Sequence, residues 1–193
     1  MNNECTRSEI FTSITLGNLR SLEPVDARYA PAIFELVDRN RERLSNSMPW
    51  VKDTQTAADI QKFFAQMSQD AAEARGGAWV IVVEGNPVGI VGVHEINWPH
   101  AKTSIGYWIN AAHEGHGHVT SAVGALARRL FAAGIKRIEI RAGTENSRSR
   151  ALAERLGFTF EGIARSNEQL HDRRVDHAVY SLLSDDLAAG VEA

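Results

Sequence analysis

The sequence predicts one mixed α/β domain with an antiparallel start. Short runs rich in β-branched residues alternate with segments whose apolar residues recur three or four apart, the respective patterns of strands and amphipathic helices. The chain has 193 residues, 44% of them hydrophobic, which is enough for one core. We expect a single domain over 13–185 between flexible ends at 1–12 and 186–193.

The first half predicts one short strand near 14–22 and then two helices. Over 26–44 the apolar residues mostly lie three or four apart, as on a helix that packs on one side. Thr56 and Asp59 have the spacing of a capping box, which predicts a second helix running to about residue 74.

The second half predicts strands and helices in turn. Two β-branched runs over 78–83 and 88–93 are joined by a Gly-Asn-Pro turn, which is typical of a hairpin. The remaining predicted elements are a strand over 103–109, a helix over 119–131, a strand over 137–142, a helix over 147–156, and two strands over 158–164 and 175–183 with a polar connection.

Composition excludes several classes of protein. The 21 Lys and Arg against 24 Asp and Glu give a formal charge of -3, so we expect no nucleic-acid partner. The single cysteine, Cys5, rules out an internal disulfide and favours a reducing, cytoplasmic location. A basic start followed by an apolar run is absent from the sequence, as is an apolar stretch of about 18 residues, so we expect neither secretion nor a membrane partner.

A glycine turn is the most informative segment. Gly115 and Gly117 lie between a predicted strand and a predicted helix, where tight turns leave backbone N–H groups open to an anion such as phosphate. A turn that only joins the two elements is the alternative. Thr120 stands where a Rossmann motif needs a third glycine, and no Gly-Lys-Ser/Thr follows, so a dinucleotide and a P-loop are excluded.

Several motifs in order resemble the GCN5-related N-acetyltransferase (GNAT) superfamily, in the branch that acetylates the N-terminal amines of ribosomal proteins. The motifs are Gly106-Tyr107-Trp108-Ile109, the glycine turn, Thr144-Glu145-Asn146 with Ser149, Glu154-Arg155-Leu156-Gly157-Phe158, Glu161-Gly162, and Asp176-His177 with Tyr180. The resemblance implies a GNAT fold with a mostly antiparallel sheet of six to seven strands, splayed strands 4 and 5, and about four helices on both faces. It also implies acetyl-coenzyme A (acetyl-CoA) as co-substrate.

The resemblance assigns the coenzyme A (CoA) site to the turn and its neighbours. The pantetheine arm would bind the edge of 105–109, splayed from 137–142. The implied binding residues are Ile109, Glu114, Gly115, His116, Gly117, His118, Val119, Asn146 and Ser149. This chain departs from the family motif at Glu114, usually Gln or Arg, and at Val119, usually small; repulsion or crowding would weaken anion binding. Arg148 or Arg150 would either neutralise a phosphate or be solvated.

Transfer of an acetyl group to an amine needs a base for the ammonium and an acid for the thiolate. By resemblance, Glu168 is the base and Ser149 is the acid, while Trp50, Tyr107 and Glu168 contact the acceptor. The alternatives are a capping role for Asn146, a structural Ser149 and a solvated Glu168. Asp176 and His177 would pair with neighbours or open the last strand.

We expect no metal. His113, His116 and His118 resemble a ligand set, but His113-Glu114-Gly115-His116 is one residue short of the zinc-protease spacing. The predicted function is acetyl-CoA-dependent acetylation of a primary amine, either the N-terminus of a ribosomal protein or a small aminoacyl-like compound. The alternative is a catalytically impaired acetyl-CoA-binding module or sensor. Pairing of exposed strand edges into a homodimer stays open.

Overall fold

The structure, a computed structural model, describes residues 6–7 and 9–186. Its strands are β1 Ile14–Gly17, β2 Arg20–Pro24, β3 Gly77–Val83, β4 Asn86–Val93, β5 Lys102–Ile109, β6 Arg137–Gly143, β7 Thr159–Leu170 and β8 Arg173–Leu183. They form one sheet in the order β1-β2-β3-β4-β5-β6-β8-β7. Every neighbouring pair is antiparallel except β5 and β6, which are parallel.

The sheet has eight strands, so the predicted count of six to seven is too low. The segment 14–22, predicted as one strand, folds back on itself between β1 and β2. Gly17, Asn18 and Leu19 adopt φ values of 75°, 48° and 55° in that turn. A leucine rarely adopts left-handed backbone, so its presence did not predict a turn at this position.

The last two strands are longer than predicted. The polar connection over 165–174 continues both strands as a hairpin, and β7 and β8 pair from Thr159↔Ser181 to Leu170↔Arg173. His171, with φ of 55°, lies in the tight turn at the tip. Cross-strand hydrogen bonds stabilise this segment in spite of its low apolar content.

The helices are α1 Ala30–Arg39, α2 Arg41–Ser45, α3 Ala57–Ala72, α4 His118–Ala132 and α5 Ser147–Arg155. The helix predicted over 26–44 is divided at Asn40. Its side-chain amide donates to the carbonyl of Leu36 at 2.8 Å and to Oδ1 of Asn110 at 3.0 Å. The predicted capping box is confirmed, since Oδ2 of Asp59 accepts the N–H of Thr56 at 3.0 Å.

Helices cover both faces of the sheet, as predicted. The alternation of β3 shows this: Ala78, Val80 and Val82 belong to the core with α1 and α3, whereas Trp79 and Ile81 belong to the core with α4 and α5. A strand covered on both faces reads as a continuous apolar run, which is the texture of 78–83.

The beginning of the chain contacts the sheet. Ile10 is fully buried, Phe11 stacks on Trp79, and the indole of Trp79 donates to the carbonyl of Thr12 at 3.1 Å. Residues 9–12 of the segment predicted to be flexible therefore pack on the core. Residues 1–5, 8 and 187–193, to which the predictions of flexible ends also apply, lie outside the described residues.

The sheet opens between β5 and β6. These strands pair only from Lys102↔Arg137 to Ser104↔Glu139, and beyond Ser104 they diverge. On its other side, the stretch 105–109 of β5 stays paired with β4. The predicted splay of 105–109 from 137–142 is confirmed. The prediction numbered these strands 4 and 5; they are β5 and β6 because the segment 14–22 forms two strands. The splay leaves one edge of β5 facing an opening.

Candidate active site

A groove of about 2020 Å³ lies where β5 and β6 diverge. The elements around it are β4, β5, β6, the start of α4, α5 and the β7–β8 hairpin, together with the segment that joins α2 to α3. Of the residues predicted for the site, those that line it are Trp50, Tyr107, Ile109, Glu114, Gly115, Gly117, His118, Val119, Asn146, Ser149 and Glu168. His116 is the exception: its side chain is exposed, and its ring stacks on His118 at 5.8 Å.

The glycine turn has the backbone that an anion site needs. Gly115 and Gly117 adopt φ values of 79° and 74°, and the first hydrogen bond into α4 runs from the N–H of Ser121 to the carbonyl of Gly117 at 2.9 Å. Within residues 9–186, no acceptor faces the N–H groups of 115–120. Val119 is 9% exposed and packs in the core, so its side chain does not crowd the turn. These amides at a helix N-terminus fit a phosphate.

The carboxylate of Glu114 pairs with two arginines, which offset its repulsion of an anion. Its Oε1 lies 2.5 Å from Nη1 of Arg43, and its Oε2 pairs with Arg148. Burial and the charge of Arg148 both lower the pKa of Arg43. Two guanidinium groups and one carboxylate leave a net positive charge beside the turn.

Arg43 also joins α2 to the end of β5. Its Nη2 donates to the carbonyl of Ile109 at 2.6 Å and to Oδ1 of Asn40 at 3.2 Å. Ile109, predicted to contact CoA, is buried and offers a carbonyl that Arg43 already occupies. The sequence gave no sign of this role, because the partners of Arg43 are 66 and 71 residues away.

Tyr107 and Ser149 meet across the groove. The Tyr107 hydroxyl lies 2.9 Å from Oγ of Ser149, and Oδ1 of Asn146 accepts the N–H of Ser149 at 3.1 Å as the cap of α5. Burial raises the pKa of Tyr107, and the hydrogen bond with Ser149 opposes part of that rise. The arrangement places two hydrogen-bonded hydroxyls, each with a proton, between β5 and α5 in the groove.

Glu168 lies on β7, not in a loop, and contacts a histidine. Its Oε2 is 3.3 Å from Nε2 of His177 on β8, and Nδ1 of His177 lies 3.0 Å from Nδ2 of Asn167. Asp176 accepts the N–H of Ser166 at 2.7 Å. The Asp176-His177 pair does bind neighbours, as one prediction stated, but one of those neighbours is Glu168 itself.

Aromatic side chains also line the groove. Trp50 is 36% exposed, and its ring lies 6.2 Å from that of Trp108, which is buried. Phe63 on α3 is also exposed and lines the groove. An apolar surface that stays open to solvent at a groove is suited to binding an acceptor.

The arginines near the turn divide into two groups. Arg150 donates to the Tyr180 hydroxyl and to the carbonyl of Thr144, both at 3.1 Å, so it does not serve a phosphate. The sequence analysis gave Arg155 and Arg20 no role in binding a phosphate. Arg155 lies 3.4 Å from Oγ1 of Thr120, and Arg20 lies 3.3 Å from Oγ of Ser121, on the first turn of α4.

Histidines cluster beside the turn without forming a metal site. The rings of His113 and His116 lie 6.2 Å and 5.8 Å from that of His118. Burial is the largest cause that lowers the pKa of His118, followed by the charges of Arg20, His113 and His116. Among the residues the structure describes, no group of three His, Cys, Asp or Glu side chains is arranged to hold a metal ion.

The parallel strands that part, the free amides at a helix start and the paired hydroxyls define an acyl-CoA N-acyltransferase. The family model described as the acetyltransferase (GNAT) domain matches residues 18–159, and the chain belongs to that family. It is an N-acetyltransferase that uses acetyl-CoA.

Comparisons with individual proteins agree. The chain is 30% identical, over 86% of its length and 90% of the relative's, to YdaF of Bacillus subtilis (strain 168), provisionally named a ribosomal N-acetyltransferase. It is 26% identical, over 90% and 97%, to the ribosomal-protein-serine acetyltransferase of Escherichia coli (strain K12). The microcin C7 self-immunity acetyltransferase MccE, in complex with acetyl-CoA and AMP, superposes with a TM-score of 0.86 at 27% identity, over 89% and 96% of the two chains. Among the helices that the structure describes, none is long and apolar enough to cross a bilayer.

Proposed function

We propose that this enzyme acetylates a primary α-amine, either the N-terminus of a ribosomal protein or a small aminoacyl-like compound. The observation that carries the proposal is the free edge of β5, which runs into the open amides at 115–120. The relatives named for ribosomal-protein acetylation support the first acceptor. Ribosomal proteins as acceptors put the reaction in the cytoplasm.

The co-substrate site uses backbone groups and arginines. The amides of 115–120 bind the diphosphate, since they lie at the positive end of α4 and none is bonded to an acceptor within the described residues. Arg20, Arg155 and Arg148 add positive charge around that turn. The edge of 105–109 binds the amide-bearing arm in the manner of an added strand.

Bound acetyl-CoA supplies an activated acetyl thioester. Glu168 accepts the proton that the acceptor ammonium loses, because a carboxylate on β7 faces the groove. Ser149, bonded to Tyr107, donates a proton to the leaving sulfur. Glu168 takes the first proton from the ammonium. As the N–C bond forms and the C–S bond breaks, the sulfur takes a proton from the hydroxyl pair and the second amine proton returns to that pair, so CoA leaves as the thiol.

The second function considered from the sequence, a binding module without turnover, rested on Glu114 and Val119. The positions of these two residues do not support that alternative. Two arginines offset the charge of Glu114, and Val119 packs in the core, so neither residue argues against a working co-substrate site.

The test is an acceptor screen. The protein is incubated with acetyl-CoA and a panel of ribosomal proteins and aminoacyl compounds, while thiol release and acceptor mass are followed. We expect acetylation of an α-amine, and a loss on the order of a hundredfold near neutral pH for Glu168→Gln. Glu145→Gln is the matched control, because Glu145 also lines the groove but is 83% exposed and contacts Arg173 at 3.5 Å. Failure to release thiol with every acceptor by the folded protein would refute the proposal.

A further inference from the structure

We propose that His177 is a positioning residue for the base: it donates its Nε2–H to Glu168 and orients the carboxylate toward the acceptor amine. The inference rests on the proposed function, which assigns proton removal to Glu168. It assigns a role to a residue that the resemblance left without one.

The contact is set by an irregular hairpin. Between Ala164↔His177 and Glu168↔Val175 the register of β7 shifts, so four steps along β7 face two steps along β8. Ser166 takes φ of 51° in that bulge, and Asp176 holds the N–H of Ser166 at 2.7 Å. Adjacent side chains of a regular strand point to opposite faces, and a bulge re-aims them.

The bulge brings two consecutive side chains to one imidazole. Asn167 contacts Nδ1 of His177 at 3.0 Å, and Glu168 contacts Nε2 at 3.3 Å. Asn167 therefore holds the ring through Nδ1, and this orientation directs Nε2 toward the Glu168 carboxylate, which accepts its N–H.

The side chains of His177 and Glu168 differ in their exposure to solvent. The side chain of His177 is 12% exposed and that of Glu168 is 34% exposed, so the histidine forms the wall and the carboxylate is open to the groove. Among the described residues, His177 is the only partner of the Glu168 carboxylate. The Oε1 oxygen is thus left for the acceptor.

Other charged groups around the pair have partners of their own. Across the hairpin, Arg173 contacts Glu145 and Arg174 contacts Ser166, while Asp176 holds the bulge. The His171 ring contacts the carbonyl of Ser45, and Arg141 on β6 pairs with Glu139. None of these interactions replaces the donor that His177 gives to Glu168.

Three variants of His177 separate positioning from packing. The side-chain amide of Gln can place an N–H donor near the position of Nε2. The amide of Asn is shorter and reaches only the position of Nδ1, and Ala has no donor. We expect His177→Gln to keep kcat within about threefold, and the Asn and Ala variants to lose about tenfold or more, with KM for acetyl-CoA unchanged in all three. In the Ala variant the acid limb of the pH profile moves to higher pH, because the carboxylate loses a donor that favours its ionised form.

Glu168→Gln and thermal unfolding are measured in the same series. A Gln variant as impaired as Ala, or an Ala variant with full activity and an unmoved acid limb, would overturn the role of His177. If Glu168→Gln retains full activity, the base assignment of the proposed function fails. If Glu168→Gln is inactive while His177→Ala is normal, only the inference on His177 fails. The Gln and Asn variants keep the test decisive if the Ala variant does not fold.

Discussion

The hydroxyl of Tyr107 lies 2.9 Å from Oγ of Ser149, although 42 residues separate them in the chain. Tyr107 comes from β5 and Ser149 from α5, which follows β6, so the pair spans the opening between the two splayed strands. The hydrogen bond makes the two hydroxyls one unit, in which either oxygen is able to donate.

Removing either hydroxyl lowers kcat. We expect Tyr107→Phe and Ser149→Ala each to reduce it by about tenfold to a hundredfold, because the leaving sulfur loses its proton donor. The kcat of the double variant is expected to lie within about threefold of the kcat of the less active single variant, since the residues act as a unit. Burial raises the pKa of Tyr107 above its ordinary value near 10, so the hydroxyl stays protonated through the neutral range. Steady-state kinetics from pH 6 to 9 checks this.

Tyr180→Phe is the matched control. The Tyr180 hydroxyl is buried and binds Arg150 and Glu154, but Tyr180 does not line the groove. We expect this variant to lose about 1 kcal/mol of stability with kcat unchanged. An unchanged kcat in Tyr107→Phe would contradict the proposed acid.

The second prediction concerns the backbone of the turn. Gly117 has φ of 74° and open space where a Cβ would lie, so Gly117→Ala costs about 1 kcal/mol of stability through left-handed backbone and not through a clash. Because the strained turn also carries the phosphate-binding amides, we expect CoA affinity to fall about tenfold or more. Isothermal titration calorimetry with CoA measures the change.

Gly85→Ala controls for strain alone. Gly85 has φ of 81° and equally open space, but it lies in the β3–β4 turn, outside the groove. The two variants should lose similar stability, and only Gly117→Ala should lose affinity. Equal affinity in both variants would mean that the turn does not bind the co-substrate.

The third prediction concerns the charge at the entrance to the turn. Glu114→Gln leaves Arg43 and Arg148 without their carboxylate, so the net positive charge beside the turn rises by one. We expect the Kd for CoA to fall about threefold at low ionic strength, and the difference to vanish at high salt. Calorimetry at two salt concentrations tests this. Glu145→Gln removes the same charge away from the arginine pair and should change the Kd less; a Kd that rises in Glu114→Gln would show that the ion pairs position the turn.

The fourth prediction concerns stability at acid pH. Burial lowers the pKa of His94 and is the first cause that lowers that of His118. A depressed histidine pKa means that the unfolded chain binds the proton first, so stability is fully present above the unfolded value near 6.5 and is lost as the pH falls below it. We expect Tm to drop from pH 7 to pH 5, and His94→Gln and His118→Gln to flatten that drop.

His100→Gln is the control for that series, because among the described residues the His100 ring makes no hydrogen bond, whereas the ring of His94 bonds Ser104 and that of His118 stacks on His116. It should leave the slope of Tm against pH unchanged. A slope that is the same in the wild-type protein and in the His94 and His118 variants would refute the assignment.

Periodicity was sufficient to predict most elements of the fold. The helix over 119–131 and the strands over 78–83 and 88–93 were predicted within a few residues of α4, β3 and β4, since burial on one or both faces leaves a regular apolar pattern. The turn between β1 and β2 and the extension of β7 and β8 were missed. Both depend on positive φ values and cross-strand bonds, which apolar spacing does not report.

The glycine turn could be predicted from the sequence alone, because its two glycines and the start of α4 are neighbours in the chain and their geometry is local. The motifs also identified Glu168 and Ser149 as candidates. Their partners depend on the fold, which brings Tyr107 to Ser149 and His177 to Glu168, and likewise Arg43 to Glu114. The Tyr107 and Arg43 contacts cross between elements distant in the chain, and the His177 contact depends on a bulge, so each is fixed by the splay or the register of the sheet and not by spacing in the chain.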